Sequence, residues 1–366
     1  MVAASIIAAS TSSLAVAYQI SPNPNYGDIV IFSDDEAENY LTPFENFGFL
    51  IVASSATLRN YGDLQNHGYL WVGDDWGGAD IENHGSLINH GLVVFGRGND
   101  HIYGGGLISN SGRFVGDINK SGHDTIEASA LDNSGLFDVN SQVIINGEVT
   151  NSGDFINHEL HVGTFVNTGS FQNPFATSNA DGYSYTQFYG ETVNNGEIEF
   201  MFIDIHGGSL KGTGTLVGNV NIGSSATVIP GSSPGTLSID GDLHSSGNYV
   251  FEIAGVNSGQ YDVLDIDGNA FFTGGNFKFE FIDGYLPSPG DHWDFLVADS
   301  LNGFDTVGFT FAGLGDGLGI DFHNEGGKIS LTVITAVPEP ETYAMLLAGL
   351  GLMGFMACRR KLKEAA

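Results

Sequence analysis

The feature that most constrains this chain is a five-residue pattern: Asn, any residue, Gly, any residue, then an apolar residue. It recurs nine times between Asn60 and Ile198, opening at Asn60, Asn66, Asn83, Asn89, Asn110, Asn133, Asn151, Asn167 and Asn194. Two pairs of copies sit six residues apart, a weaker doublet joins Asn151 to Asn157, where Glu159 replaces the glycine, and successive units begin about 16 to 28 residues apart. That interval is about one coil of a β-solenoid, in which short strands stack in parallel on the coils above and below. Asn and Gly suit its corners, Gly by accepting positive φ and Asn by bonding local backbone or stacking in a ladder with the next coil's Asn. The apolar residue two beyond each Gly then faces inward, as in Leu70-Trp71-Val72 and Leu92-Val93-Val94-Phe95. An antiparallel sandwich would also show strands and turns, but not the same Asn at the same corner.

Composition agrees with this all-β, parallel β-helix reading. The 53 glycines are about twice the usual share of about 7%, and charged residues, at 15%, fall short of about 25%. Acidic groups number 43 against 11 basic ones. Four of the basic residues, Arg359, Arg360, Lys361 and Lys363, crowd the last eight positions, so the body is more acidic than the net −32 conveys. A phosphate backbone needs Lys and Arg to displace its counterions, which argues against nucleic-acid binding. Cations, water and neutral sugars remain suitable partners. Cys358 is the one cysteine, so neither a disulfide framework nor a cysteine metal site is available.

On this reading residues 18–208 form the solenoid with its Asn-x-Gly repeats, and residues 209–335 continue it into a β-rich cap. Within the second stretch, Lys211-Gly212-Thr213-Gly214-Thr215-Leu216, Pro230-Gly231-Ser232-Ser233-Pro234-Gly235-Thr236-Leu237 and Tyr261-Asp262-Val263-Leu264-Asp265-Ile266-Asp267-Gly268 resemble segments found late in autotransporter passenger regions. The resemblance implies further coils closed by wider strands such as 277–282 and 293–298. A cap is required because an open last coil leaves strand edges unpaired.

Three polar loops, 74–80, 97–100 and 117–124, end in Asp before Ile, His-Ile or Thr-Ile. The run Gly96-Arg97-Gly98-Asn99-Asp100-His101-Ile102-Tyr103-Gly104-Gly105 resembles a single RTX calcium nonapeptide. The resemblance implies a Ca²⁺ site with Asp100, Asn99, Asp80 and Asp124 as ligands. Each such ion bridges adjacent turns, however, and the neighbouring loops depart from the consensus in length and glycine placement; an ordinary solenoid turn is the alternative. Otherwise no cofactor is expected. His67, His84 and His90 share the place between Asn and Gly and form a row that could meet a metal or simply line a solvent-facing corner. β-Helices often degrade polysaccharides, but Asp80, Asp100 and Asp124 lack the basic partner a lyase needs, and the other Asp residues sit mostly at turns. No Ser-His-Asp order, phosphate loop, zinc spacing or dinucleotide fingerprint is present. The chain therefore reads as non-enzymatic.

The two ends concern export. Residues 1–17 are small and apolar and close on Ala15-Val16-Ala17, as a signal peptide does, although no basic n-region precedes them. At the other end, Val337-Pro338-Glu339-Pro340 leads into an uncharged apolar run, 343–358, and then the basic stop Arg359-Arg360-Lys361. The prolines hold the approach extended, the apolar run is a little shorter than the ~20 residues of a comfortable span, and the basic cluster favours a cytoplasmic C-terminus. A simple C-terminal anchor would explain the run and the stop but not the Pro-Glu-Pro. This order resembles the PEP-CTERM sorting signal. The resemblance covers residues 336–366 and implies a short transmembrane helix, recognition and cleavage by an exosortase, an inner-membrane precursor, and a final place at the cell surface or outside the cell with extracellular polysaccharide or biofilm. Together these features give an exported structural or adhesive protein of the surface or matrix. The alternatives are a Ca²⁺-stabilised glycan-binding β-helix and a polysaccharide-degrading one.

Overall fold

The computed structural model describes residues 17–40, 43–73, 77–116, 124–173, 185–336, 345 and 347–353. Strands of four residues alternate between half-exposed and buried positions, so each contributes two side chains to the core, as in Thr57–Asn60, Asp63–Asn66 and Tyr69–Val72. These three strands form the three sides of one coil. Each pairs in parallel, residue for residue, with the matching side of the next coil: Asp80–Asn83, Ser86–Asn89 and Leu92–Phe95. The solenoid expected from the repeat is therefore present, with the inward apolar residue of every copy buried, from Leu64 and Leu70 through Phe114, Phe137 and Phe155 to Ile198.

The repeat asparagines are buried as well. At the corner between the second and third sides, each side-chain amide donates from Nδ2 to Oδ1 of its successor. The ladder runs Asn25, Asn46, Asn66, Asn89, Asn110, Asn133, Asn151, Asn167, Asn194, with bonds of 2.7–2.9 Å. A second, shorter ladder joins Asn39, Asn60 and Asn83 at the neighbouring corner, with both bonds 2.7 Å. The copies at Asn25 and Asn46 extend the repeat before Asn60, where the sequence reading began it.

The repeat glycines serve a different purpose from the one expected. None of Gly48, Gly68, Gly91, Gly112, Gly135, Gly153, Gly169 or Gly196 adopts left-handed φ. Each instead lies against the carbonyl of the glycine one coil below: a Cβ on Gly112 would fall 2.2 Å from the Gly91 oxygen. Close approach of backbones, not turn conformation, requires glycine here.

The long ladder stops where the sequence changes texture. The position after Lys211, which follows Val193 in register, is Gly212 at φ 119°, and Asn194 Nδ2 donates instead to the Thr215 carbonyl. Parallel coils continue through Thr236–Asp240, Asn248–Ile253 and Asn276–Phe281 to Gly308–Ala312, around an aromatic core containing Tyr249, Phe251, Phe277, Phe279 and Phe295. Asn276–Phe281, expected as part of the cap, is an ordinary coil strand paired in parallel on both edges. Closure comes from the hairpin Leu318–Glu325 and Lys328–Thr335. Its second strand pairs antiparallel with His292–Val297, and these are the antiparallel strand pairings among the described residues. The hairpin takes up hydrogen bonds that a last parallel coil would leave open.

Asn110 accepts from Asn89 and donates to Asn133 and to the Leu136 carbonyl, so Asn110→Ala leaves buried amide groups unmatched. A loss of about 1–3 kcal/mol is expected in urea unfolding, and Gly112→Ala should cost about as much by overpacking. Ser134→Ala, on the solvent side of the next corner, should stay within about 0.5 kcal/mol.

Candidate functional site

The residue between Asn and Gly points outward and stacks on its counterpart in the next coil. Tyr26, Phe47, His67 and His90 form one column, with centroids 5.1, 4.6 and 5.0 Å apart. Tyr40, Tyr61 and His84 form another, at 4.9 and 5.2 Å. The anticipated histidine row thus belongs to two corners, and its rings are engaged with aromatic neighbours. His90 Nδ1 also meets Ser111 Oγ at 2.7 Å, and His84 Nε2 meets Glu82 Oε1 at 2.9 Å. Ring pairs of this kind each contribute about 0.5–1.5 kcal/mol beyond area burial.

On the first side of the coil, Arg59 bridges three coils. Its Nη1 and Nη2 bond both oxygens of Glu36 at 2.7 and 2.9 Å, and its Nε bonds Glu82 at 2.8 Å. Hydrogen bonds to Arg59 for Glu36, and to His84 and Arg59 for Glu82, hold both carboxyls below their ordinary range. The network was not foreseen, although Glu38, Arg59 and Glu82 occupy one strand position at coil spacing, with Glu36 two residues before it and level with Thr57.

The four residues proposed for Ca²⁺ divide. Asp100 is buried, and its Oδ1 accepts the Ala79 N–H at 2.8 Å. Asp124, one coil on, is likewise buried and accepts the Asp100 N–H at 3.1 Å. These two share a register position, with Ala79 as its equivalent in the coil before. Asp80 is one residue out of step, opposite His101, and burial raises its carboxyl pKa. Asn99 is exposed. Among the described residues no group of three or more His, Cys, Asp or Glu side chains is placed to hold a metal ion. The carboxylates of Asp100 and Asp124 each accept a backbone N–H of the coil before and so tie the loops of successive coils together.

A carboxylate that sequence reasoning missed does the same work later in the chain. Asp262 is buried, with Oδ1 accepting the Gly235 N–H and Oδ2 the Glu252 N–H, both at 2.8 Å. Burial pushes its pKa up to about 7 despite these donors. Its signal was a polar residue inside the Tyr261-to-Ile266 strand pattern.

The cap carries one open hollow, about 420 Å³, lined by His292, Asp294, His323, Glu325, Lys328, Ser330 and Thr332. His292 Nε2 and Lys328 Nζ approach opposite oxygens of Asp294 at 3.2 and 3.0 Å.

The sorting residues Val337, Pro338, Glu339 and Pro340, the basic stop Arg359, Arg360 and Lys361, and nearly all of the N-terminal 1–17 segment lie outside the described residues. Residues 347–353 are helical, and no helix among the described residues is long and apolar enough to cross a membrane, so the expected transmembrane helix is not found there. What precedes the tail is a β-solenoid whose cap is closed by a hydrogen bond from the Ala336 N–H to the Gly317 carbonyl. A folded repetitive body followed by a separate terminal signal defines an exported protein carrying a detachable address. That address is the PEP-CTERM protein-sorting motif, whose family model matches residues 336–361. No curated protein matches the chain. The chain is accordingly an exported, exosortase-sorted protein with a β-solenoid body.

The sign of the acid dependence follows from the lowered carboxyls. Interactions that depress the pKa of Glu36 and Glu82 below 4.5 stabilise the fold above that value and are lost as pH falls through the folded-state values. Arg59→Met should therefore lower the unfolding midpoint at pH 7 and have a smaller effect at pH 2, as read by circular dichroism. Millimolar Ca²⁺ should leave the melting temperature unchanged; a shift with Ca²⁺ but not Na⁺ would establish an ion site.

Proposed function

We propose that this protein is a non-enzymatic structural or adhesive component of the cell surface or extracellular matrix. In this reading an N-terminal signal directs export and the C-terminal apolar segment retains the precursor in the inner membrane. An exosortase then cuts near Val337-Pro338-Glu339-Pro340, and the released solenoid associates with extracellular polysaccharide or biofilm. The observation that supports it best is the joining of a sorting motif at residues 336–361 to a body whose polar side chains bind coils to one another. Arg59 is held between Glu36 and Glu82, and Asp100, Asp124 and Asp262 accept backbone N–H groups. Catalysis would need a convergent acid and base with freedom to exchange protons with a substrate.

The mass of the secreted protein tests the processing. The mature product should begin near Tyr18 and lack residues 346–363. A secreted product that retained them would make the tail a permanent anchor. Replacing Pro338 and Pro340 by Ala frees the segment to become helical, so the precursor should accumulate in the membrane with insertion intact. Digestion of a defined polysaccharide by the purified protein, lost on Asp100→Ala, would replace the structural reading with an enzymatic one.

A further inference from the structure

One side of the solenoid breaks the rule that outward positions are polar. On the first side these positions hold Glu36, Glu38, Thr57, Arg59, Asp80 and Glu82. On the third side they hold Val30, Phe49, Ile51, Tyr69, Trp71, Leu92 and Val94. Register stacks Phe49, Tyr69 and Leu92 in one column and Val30, Ile51, Trp71 and Val94 in the next, so the seven side chains form one continuous patch over four coils. Phe49, Tyr69 and Trp71 are 44%, 46% and 43% exposed, and the patch continues round the corner into Phe47 and Tyr26. Asp28 bounds it at one end, and Arg113 and Asp138 at the other.

We infer that this third-side face is a docking surface for a neutral polysaccharide chain lying along the solenoid axis, an inference that rests on the adhesive reading above. Size and charge select the occupant. Four coils about 4.8 Å apart, with outward side chains about 7 Å apart along each strand, give roughly a few hundred Å². A stable protein interface takes about 800 Å² from each partner. A second copy would also bring two bodies together, each more acidic than the whole chain's net −32, and an anionic lipid surface or acidic glycan meets the same repulsion. A narrow uncharged chain meets neither obstacle. Phe49 and Tyr69 stack at 4.7 Å along the axis, which turns their positive ring edges outward, toward where sugar oxygens would lie. Val30, Ile51 and Val94 cover the C–H faces of the sugar rings, and the phenol of Tyr69 and indole N–H of Trp71 supply hydrogen bonds at an otherwise apolar surface.

The test uses the exported protein recovered from its producing cells, run by affinity electrophoresis through gels containing laminarin, a neutral β-glucan, or alginate, an acidic one. Laminarin should retard the wild type and alginate should not. Tyr69→Ala with Trp71→Ala should weaken laminarin binding at least tenfold, whereas Tyr40→Ala with Tyr61→Ala, also exposed aromatics but at a corner away from the patch, should change it less than twofold. If the first pair lowers stability, Ile51→Thr with Val94→Thr keeps the β-branched shape and should still weaken binding severalfold. Laminarin binding unaffected by these changes would overturn the site and leave the adhesive reading standing. Binding of alginate alone would overturn the neutral class, and binding of neither glycan would count against the adhesive reading itself. Patch-dependent self-association or vesicle binding in place of glycan binding would assign the face to another occupant and overturn the inference.

Discussion

Everything else in this fold depends on the amide-to-amide hydrogen bond between asparagines of successive coils. A buried primary amide is costly unless each of its groups is matched. Here the carbonyl oxygen of Asn110 accepts the Asn89 side-chain N–H of the coil before, and its own NH₂ donates to Asn133 Oδ1 and the Leu136 carbonyl. The same arrangement recurs along the row, so each asparagine satisfies its neighbours only if the coils are in register. A slip of one residue would turn the amides out and the half-exposed residues in. Apolar packing alone would tolerate Leu, Val and Phe in many registers; the ladder selects one.

The ladder in turn imposes the other two columns at the corner. Amides that meet at 2.7–2.9 Å bring the adjacent backbones so close that the residue two beyond each Asn cannot carry a Cβ, and the side chain between them is forced outward over its counterpart. That exposed column can hold any residue that stacks or hydrates well, which is why Tyr26, Phe47, His67, His90 and Ser111 succeed one another. Variation at this position beside invariance at its two neighbours is a consequence of direction: inward, buried against backbone, or free in solvent.

The coil period, the inward apolar residues and the change of texture near Ser209 were legible because each is a repeated local pattern. Asn25-Tyr26-Gly27-Asp28-Ile29 and Asn46-Phe47-Gly48-Phe49-Leu50 carry the same pattern and were within reach of the same search. The reason for glycine was not legible, since a residue chosen for positive φ and one chosen for close backbone approach look alike in sequence. Asp80, Asp100 and Asp124 looked equivalent because each precedes a similar apolar strand, but a single residue of offset separates Asp80 from the other two, and only pairing reveals it. One of the two expected cap strands, 277–282, proved an ordinary coil strand for a related reason: strand propensity does not say whether the partner runs parallel or antiparallel, whereas the other, 293–298, does meet the antiparallel closing strand. The apolar face was hidden in plain alternation, because Tyr69-Leu70-Trp71-Val72 reads as a buried strand until its odd positions are seen in solvent.

The position of the cap relative to the sorting motif has a physical logic. A solenoid is stabilised through contacts between neighbouring coils, so damage at an end propagates inward from an unprotected edge. Its N-terminal and central coils are held by ladders and carboxylate ties without any disulfide, and the His292–Val297 side of its last parallel coil is covered by the antiparallel Lys328–Thr335 strand. A hydrogen bond closing that cover is made by Ala336, the residue at which the motif match begins. A cut two or more residues further on leaves every strand and every buried core side chain among the described residues in place. An address placed inside the last hairpin would have forced a choice between access for the processing enzyme and protection of the edge.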